Sequence, residues 1–183
     1  MIPSVLHAAH TRHPADRVPH QQRVSADTPS AVGRSDHAFR SNLGETAAER
    51  ALRQATEALD RDLGLVVAAH TELAPVSPGT TELALLEEAI VGLQEAQDAL
   101  SRAKSALSPD REPGFAHRLV ENALARHTSA RHALDLAKDM MSSHGQLAPE
   151  ETRALNLLLL QAVTGSVTED LLAKASDALA GAH

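Results

Sequence analysis

Four polar residues fall where the sequence predicts buried helix faces, and they are the first candidates for a functional site. They are Gln97, Lys104, Arg126 and His127, each on a predicted core column of otherwise apolar residues. Such residues can line a cleft or a subunit interface, but long charged side chains also reach solvent from the edge of a helical bundle. We favour the second explanation for Lys104 and Arg126, and we expect His127 to be a hydrogen-bonded core residue.

The histidines give little support for a metal site. His7, His10 and His13 are spaced by three, but Pro14 follows directly and the surrounding composition is not that of a helix. His127 and His132 are five residues apart, so they point away from each other on a helix. The zinc pattern His-Glu-x-x-His and the di-iron pattern Glu-x-x-His do not occur in the sequence. We predict no metal ligands.

Other catalytic chemistries also lack their residues. The chain has no cysteine, which excludes disulfides, thiolate catalysis and cysteine-ligated metals. It has neither a Gly-x-Ser-x-Gly elbow nor a glycine-rich phosphate loop. The acidic pairs Glu87–Glu88 and Glu150–Glu151 are explained by solvation or by the positive end of a helix dipole. We therefore predict no catalytic residues, no cofactor-binding residues and no cofactor, and we expect a protein that is not an enzyme.

Composition predicts an all-α fold. Of the 183 residues, 43% are hydrophobic but only 1% are aromatic, namely Phe39 and Phe115. The core must therefore be built mainly from Leu and Ala, which are strong helix formers. The scarcity of aromatic rings argues against a stacking platform for single-stranded nucleic acids and against an aromatic cage for methylated ammonium groups.

Charge argues against nucleic acid as the main partner. The formal net charge is −7, and the acidic excess lies after residue 44. An acidic domain repels phosphate backbones. The N-terminal segment has five arginines but no dense basic block, so DNA association through it is a third and weaker possibility. The low lysine content and the many alanines suggest a GC-rich bacterial genome.

Apolar periodicity predicts two parts of the chain. Residues 1–43 are rich in Pro, His, Arg and Ser without helical periodicity, which predicts a disordered tail. Residues 44–183 show seven-residue columns of aliphatic side chains, which predict a helical bundle domain. The predicted helices cover approximately residues 44–74, 81–107, 115–142, 149–163 and 166–180. Short linkers between them favour antiparallel neighbours.

The predicted fold class is thus all-α, an antiparallel helical bundle of three long helices plus a fourth broken into two short ones. The break is expected at Thr164 and Gly165, followed by a capping box that opens at Ser166. A folded-back pair of short helices on a three-helix core is the alternative. The heptad leucines of 81–107 resemble a coiled-coil zipper, but a neighbouring alanine column widens the apolar stripe and favours an ordinary bundle core.

Two functions remain open on this basis. The sequence shows neither a run of about 18 or more apolar residues nor a signal peptide, so we expect no membrane partner and a cytoplasmic location. The favoured function is a non-enzymatic structural or regulatory module that binds a protein partner or itself. The alternative is a bundle that binds or converts a small molecule in its core, with His127, Arg126, Gln97 or Lys104 as polar anchors.

Overall fold

The computed structural model describes residues 44–107 and 113–181, and every regular element among them is an α-helix. We number the helices α1 (Ala47–Leu73), α2 (Thr81–Ser105), α3 (Pro113–Ser143) and α4 (Pro149–Ala180). The predicted all-α class is confirmed for this part of the chain. The disordered tail predicted over residues 1–43 lies outside the described residues.

Local sequence explains where α1 and α2 begin. Thr46 caps α1, because its hydroxyl accepts the Glu49 N–H at 3.1 Å while the Glu49 carboxylate accepts the Thr46 N–H at 2.8 Å. Thr80 caps α2, because its hydroxyl accepts the Leu83 N–H. Between the two helices, Gly79 has a φ of 74°, a conformation that glycine adopts without strain.

The helices pack in chain order around a square. The α2–α3 and α1–α4 contacts are the most extensive, α3–α4 and α1–α2 complete the ring, and no described Cα atoms of the diagonal helices approach within 8 Å. Polar side-chain contacts join the end of one helix to the start of a neighbouring helix in the ring. Arg153 at the beginning of α4 binds Glu72 at the end of α1, with Nε and Oε2 2.6 Å apart. His117 near the start of α3 lies 3.0 Å from the Ser176 hydroxyl near the end of α4.

The core consists of aliphatic residues drawn from all four helices. Alternating leucines and alanines are fully buried along the inward face of α2: Leu86, Ala89, Leu93, Ala96, Leu100 and Ala103. Small side chains let helices approach each other closely. Burial of these aliphatic groups is the main force that holds the helices together.

The fourth helix is continuous, so the predicted break at Thr164 and Gly165 is wrong. α4 runs unbroken for 32 residues, which at 1.5 Å per residue is about 48 Å. Gly165 is buried rather than terminal. A Cβ on Gly165 would lie 2.8 Å from Nε2 of Gln161 and 3.5 Å from Cδ of Arg131, so this glycine makes room for those two side chains. The predicted capping box at Ser166 does not form, because Ser166 lies inside the continuous helix and is not a helix start; Glu169 binds Arg131.

Candidate functional site

The structure does not bring together the four polar residues that the sequence singled out. Lys104 is exposed, and Gln97 bonds to Asp60 on the neighbouring helix. Arg126 is exposed and lies 3.1 Å from Glu95. Only His127 is in the core, fully buried as the sequence predicted. The four therefore do not converge on one cleft.

His127 belongs instead to a set of polar side chains contributed by α1, α3 and α4, of which four are buried and Thr164 is partly buried. We call this set the polar cluster: Asp62, His127, Gln161, Thr164 and Thr168. Asp62 is its centre, since its Oδ2 lies 3.4 Å from His127 Nε2 and its Oδ1 accepts the Thr164 hydroxyl at 2.5 Å. Asp62 and His127 have no exposed surface, and their bond spans the diagonal between α1 and α3.

The contact with Asp62 determines which ring nitrogen of His127 carries a hydrogen. A carboxylate oxygen can only accept a hydrogen bond, so the ring nitrogen that faces it, Nε2, carries a hydrogen. His127 Nδ1 is buried and has no hydrogen-bond partner, and the same is true of Gln161 Nε2. Gln161 Nε2 is a hydrogen-bond donor, and His127 Nδ1 is an acceptor when the ring is neutral. The polar cluster is therefore not fully satisfied.

The polar cluster is not arranged for nucleophilic catalysis. In a catalytic triad the hydroxyl bonds to the imidazole and the carboxylate orients the far side of the ring. Here the single hydrogen of the Thr164 hydroxyl is shared between two acceptors, the Asp62 carboxylate and the Gln161 carbonyl oxygen, which lies 3.1 Å from the hydroxyl oxygen. No imidazole nitrogen bonds to the hydroxyl, because its bonded base is the Asp62 carboxylate, which also faces His127 in the core. The geometry instead ties α1, α3 and α4 to one another in a fixed relative position.

The sequence held some evidence for the polar cluster that periodicity could have revealed. Ala48, Ala55 and Ala69 form a seven-residue column on α1, and Asp62 occupies the gap in it. A carboxylate in that column predicts a buried acid that needs a partner. Thr164 and Thr168 were not identifiable in this way, because the expected helix break placed them at a helix end.

A second feature, on the opposite side of α4, is an exposed row of large aliphatic side chains. We call it the α4 patch: Leu159, Leu160, Val163 and Val167. The two leucines are 49% and 52% exposed, Val163 is 67% exposed and Val167 is 52% exposed. Spacings of three and four residues place all four on one face of the helix. No partner within the described residues covers this face.

The start of α4 is fixed by carboxylates. Glu151 accepts the Ala148 N–H at 2.8 Å and the Ser77 hydroxyl at 2.9 Å, and these bonds hold the pKa of its carboxyl below the usual range. The pKa of Glu150 is also lowered, by a backbone N–H and by Arg153. Unpaired amides at a helix start favour negative charge. These contacts set where α4 begins and so which residues its outer face presents.

The described residues lack other common kinds of site. They contain no group of three or more histidine and acidic side chains placed to hold a metal ion. None of the described helices combines the length and the apolar composition that crossing a membrane requires.

No protein-family model matches this chain, and no curated protein or solved structure is significantly similar to it. Its function therefore has to be argued from the polar cluster and the α4 patch themselves.

Proposed function

We propose that the chain is a non-enzymatic protein-interaction module, an antiparallel four-helix scaffold that binds a protein partner through the α4 patch. The observation that carries the proposal is the exposure of four large aliphatic side chains on one helix face. Contiguous exposed apolar groups on otherwise polar proteins are typical of interaction sites. A helix face with such residues at spacings of three and four is a common recognition mode.

The position of the α4 patch makes the exposure more informative. In the same turns, the inward face of α4 carries Gln161 and Thr168, both buried. Folding stability alone would favour the reverse, with aliphatic side chains inside and polar ones outside. Bonds within the polar cluster explain in part why polar residues face inward. The packing of the domain does not explain why aliphatic residues face outward. A partner that covers them would explain it.

Binding to a partner rather than catalysis also agrees with the polar cluster. The Thr164 hydroxyl is bonded to the Asp62 carboxylate instead of to an imidazole, and the other four members of the cluster are buried. The absence of cysteine from the sequence is compatible with the cytoplasmic location that we propose. Bacterial origin is proposed from composition alone.

The test is affinity purification of the full chain from its native host, comparing wild type with Leu160→Asp/Val163→Asp. We expect a defined protein to copurify with wild type and to be lost with the double variant, because two carboxylates in the contact face carry a desolvation cost. Leu136→Asp is the matched control, since Leu136 is a similarly exposed leucine, at 46%, on α3. Loss of the same protein from the control, or its retention by the double variant, would contradict the proposal.

A second candidate function, small-molecule binding in the core, is supported by the two orphaned atoms of the polar cluster. A polar ligand that accepts from Gln161 Nε2 and donates to His127 Nδ1 would satisfy both. Because both residues are enclosed, such a ligand enters only when the helices separate. A screen of polar metabolites by NMR tests this: chemical-shift changes at core amides that disappear in Asp62→Asn support it, and changes confined to surface amides reject it.

A further inference from the structure

We propose that the occupant of the α4 patch is a second copy of this chain, bound with its α4 antiparallel to the first and with the two-fold axis at Val163. The inference rests on the proposed function, because it names the partner of the same surface. A symmetric dimer uses one patch twice, so the patch must be complementary to itself. Three properties of the outward face of α4 meet that condition.

The first property is the arrangement of aliphatic residues around Val163. Leu159 lies four residues before Val163, and Val167 lies four residues after it. In an antiparallel pair centred at Val163, Leu159 faces Val167 of the second copy, and Val163 faces its own equivalent. Leu160 lies beside this row of three and faces Ser166 of the second copy. Large side chain therefore meets large side chain along the whole row, and none is left opposite a charged group.

The second property is the polarity at the two ends of the row. Asp170 and Lys174 lie on the same outward face, beyond Val167, and neither forms an ion pair or hydrogen bond within the described residues. In the same register, Asp170 faces Asn156 of the second copy, and Lys174 faces Thr152. An amide can donate to a carboxylate, and a hydroxyl can accept from an ammonium group. Each pairing occurs twice in the dimer.

The third property is charge. The chain as a whole is acidic, with a formal net charge of −7, so two copies repel each other through most of their surfaces. The outward face of α4 between Thr152 and Lys174 is an exception, since Asp170 and Lys174 balance and the charge of Arg153 is paired with Glu72 and Glu150. Two copies can meet there without juxtaposing like charges. A strongly basic or strongly acidic partner gains no charge attraction from this face.

The small size of the α4 patch sets the expected strength of the dimer. Four partly exposed side chains per copy make an interface smaller than that of a stable specific complex, which has about 20–30 residues on each side. We therefore expect a dimer that dissociates on dilution. Sedimentation of the full chain over rising concentration should show a monomer–dimer equilibrium that Val163→Asp abolishes and Leu136→Asp retains.

Engineered cysteines test the register, because the natural chain has none. Val163→Cys places two thiols across the two-fold axis, where facing helices 8–10 Å apart bring Cα atoms within disulfide range. Leu159→Cys places them eight residues out of register, about 12 Å apart along the axis. With oxidised glutathione as oxidant, we expect Cys at 163 to form a covalent dimer at least tenfold faster than Cys at 159. Leu136→Cys is the control, which measures the rate of covalent dimer formation by random collision.

Each result supports or overturns the inference. Equal rates at positions 159 and 163, both above the rate of Leu136→Cys, indicate parallel helices and overturn the antiparallel register. A wild-type chain that stays monomeric, with position 163 no faster than Leu136→Cys, removes the second copy as occupant. The proposed function would survive that last result if a different protein copurifies in a manner dependent on Leu160 and Val163. The proposed function fails as well if no protein copurifies in that manner.

Discussion

The middle of α2 and the middle of α4 are built in opposite ways. Facing inward on α2 are aliphatic residues: Leu86, Ala89, Leu93, Ala96 and Leu100. Facing outward on α2 are mostly polar ones: Glu87, Glu88, Val91, Gln94, Glu95 and Asp98. On α4 the inward residues include Gln161, Gly165 and Thr168, while the outward ones are Leu159, Leu160, Val163 and Val167. The usual amphipathic order of a core helix is thus reversed over the centre of α4.

The difference shows that the two helices contribute different things to the domain. α2 contributes burial, which is worth about 1.5–3 kcal/mol for each fully buried large aliphatic side chain. The centre of α4 contributes directional bonds to Asp62 and forgoes burial of its outward aliphatic groups. Polar bonds in a core add little net stability but restrict how helices can pair. The outward aliphatic groups remain available for another molecule.

The largest contrast is expected between an inward leucine of α2 and an outward leucine of α4. Leu93→Ala removes a fully buried side chain and should lower the free energy of unfolding by about 2–5 kcal/mol. Leu160→Ala changes a half-exposed side chain and should change it by about 0.5 kcal/mol or less. Urea denaturation of dilute protein measures both. Similar losses for the two variants would contradict the assignment of Leu160 to the surface.

The part of this contrast that involves α2 could be predicted from sequence, whereas the part that involves α4 could not. Seven-residue columns identified the buried leucines of α2 and the core position of His127, because aliphatic residues at helical spacing are unambiguous. Around residue 165 the local rule pointed the other way, since Thr-Gly followed by Ser-x-x-Glu is typical of a helix end and a new start. Arg131 of α3 packs beside Gly165 and bonds to Glu169 and Ser166, and these tertiary contacts override that local preference. These contacts depend on which helices are neighbours, which one sequence does not reveal.

A smaller effect should follow from removing the centre of the polar cluster. Asp62→Ala leaves His127 Nε2 and the Thr164 hydroxyl without their shared acceptor, which should cost about 1–3 kcal/mol of unfolding free energy. Asp98→Ala, on the exposed face of α2 and without an ion pair or hydrogen bond within the described residues, is the control and should stay within about 0.5 kcal/mol. Equal losses for the two aspartates in urea would contradict the central position of Asp62.

Replacing all three bonded side chains of the polar cluster sharpens the same comparison. Asp62→Leu/His127→Leu/Thr164→Val makes the centre of the bundle resemble the inward face of α2. Exchange of a buried polar group for well-packed aliphatic side chains is often neutral or stabilising. We expect the triple variant to be at least as stable as Asp62→Ala in urea. A triple variant that unfolds more readily than the single one would show that the polar cluster contributes net stability rather than pairing specificity.

The two glycines in the middle of α1 and α4 allow a test at a smaller scale. A Cβ added to Gly64 would meet no other atom within 4 Å, so Gly64→Ala should raise stability by about 0.5–1 kcal/mol through reduced chain entropy. In Gly165→Ala the new Cβ must displace the buried Gln161 amide, which should offset this gain. Urea midpoints of the two variants measure the difference. An equal gain at both positions would show that Gln161 moves freely and that Gly165 is not required for close packing.

The smallest effect concerns how the two helices are capped. The Thr80 hydroxyl that caps α2 does not titrate in the acid range. In contrast, the Glu151 carboxylate caps the start of α4. Its pKa is lowered from 4.5, mainly by the hydrogen bond from the Ala148 N–H and secondly by that from Ser77. A carboxyl with a lowered pKa in the folded state contributes stability that is fully present above 4.5 and is lost as the pH falls through the lowered value. Amide exchange at the start of α4 should therefore accelerate on acidification more than at the start of α2, beyond the change in intrinsic exchange rate.

Glu151→Gln should remove that extra acid dependence while leaving the exchange at Leu83 unchanged. An acid response at Ala148 that persists in Glu151→Gln would assign the effect to another group and contradict carboxylate capping as the device that fixes α4.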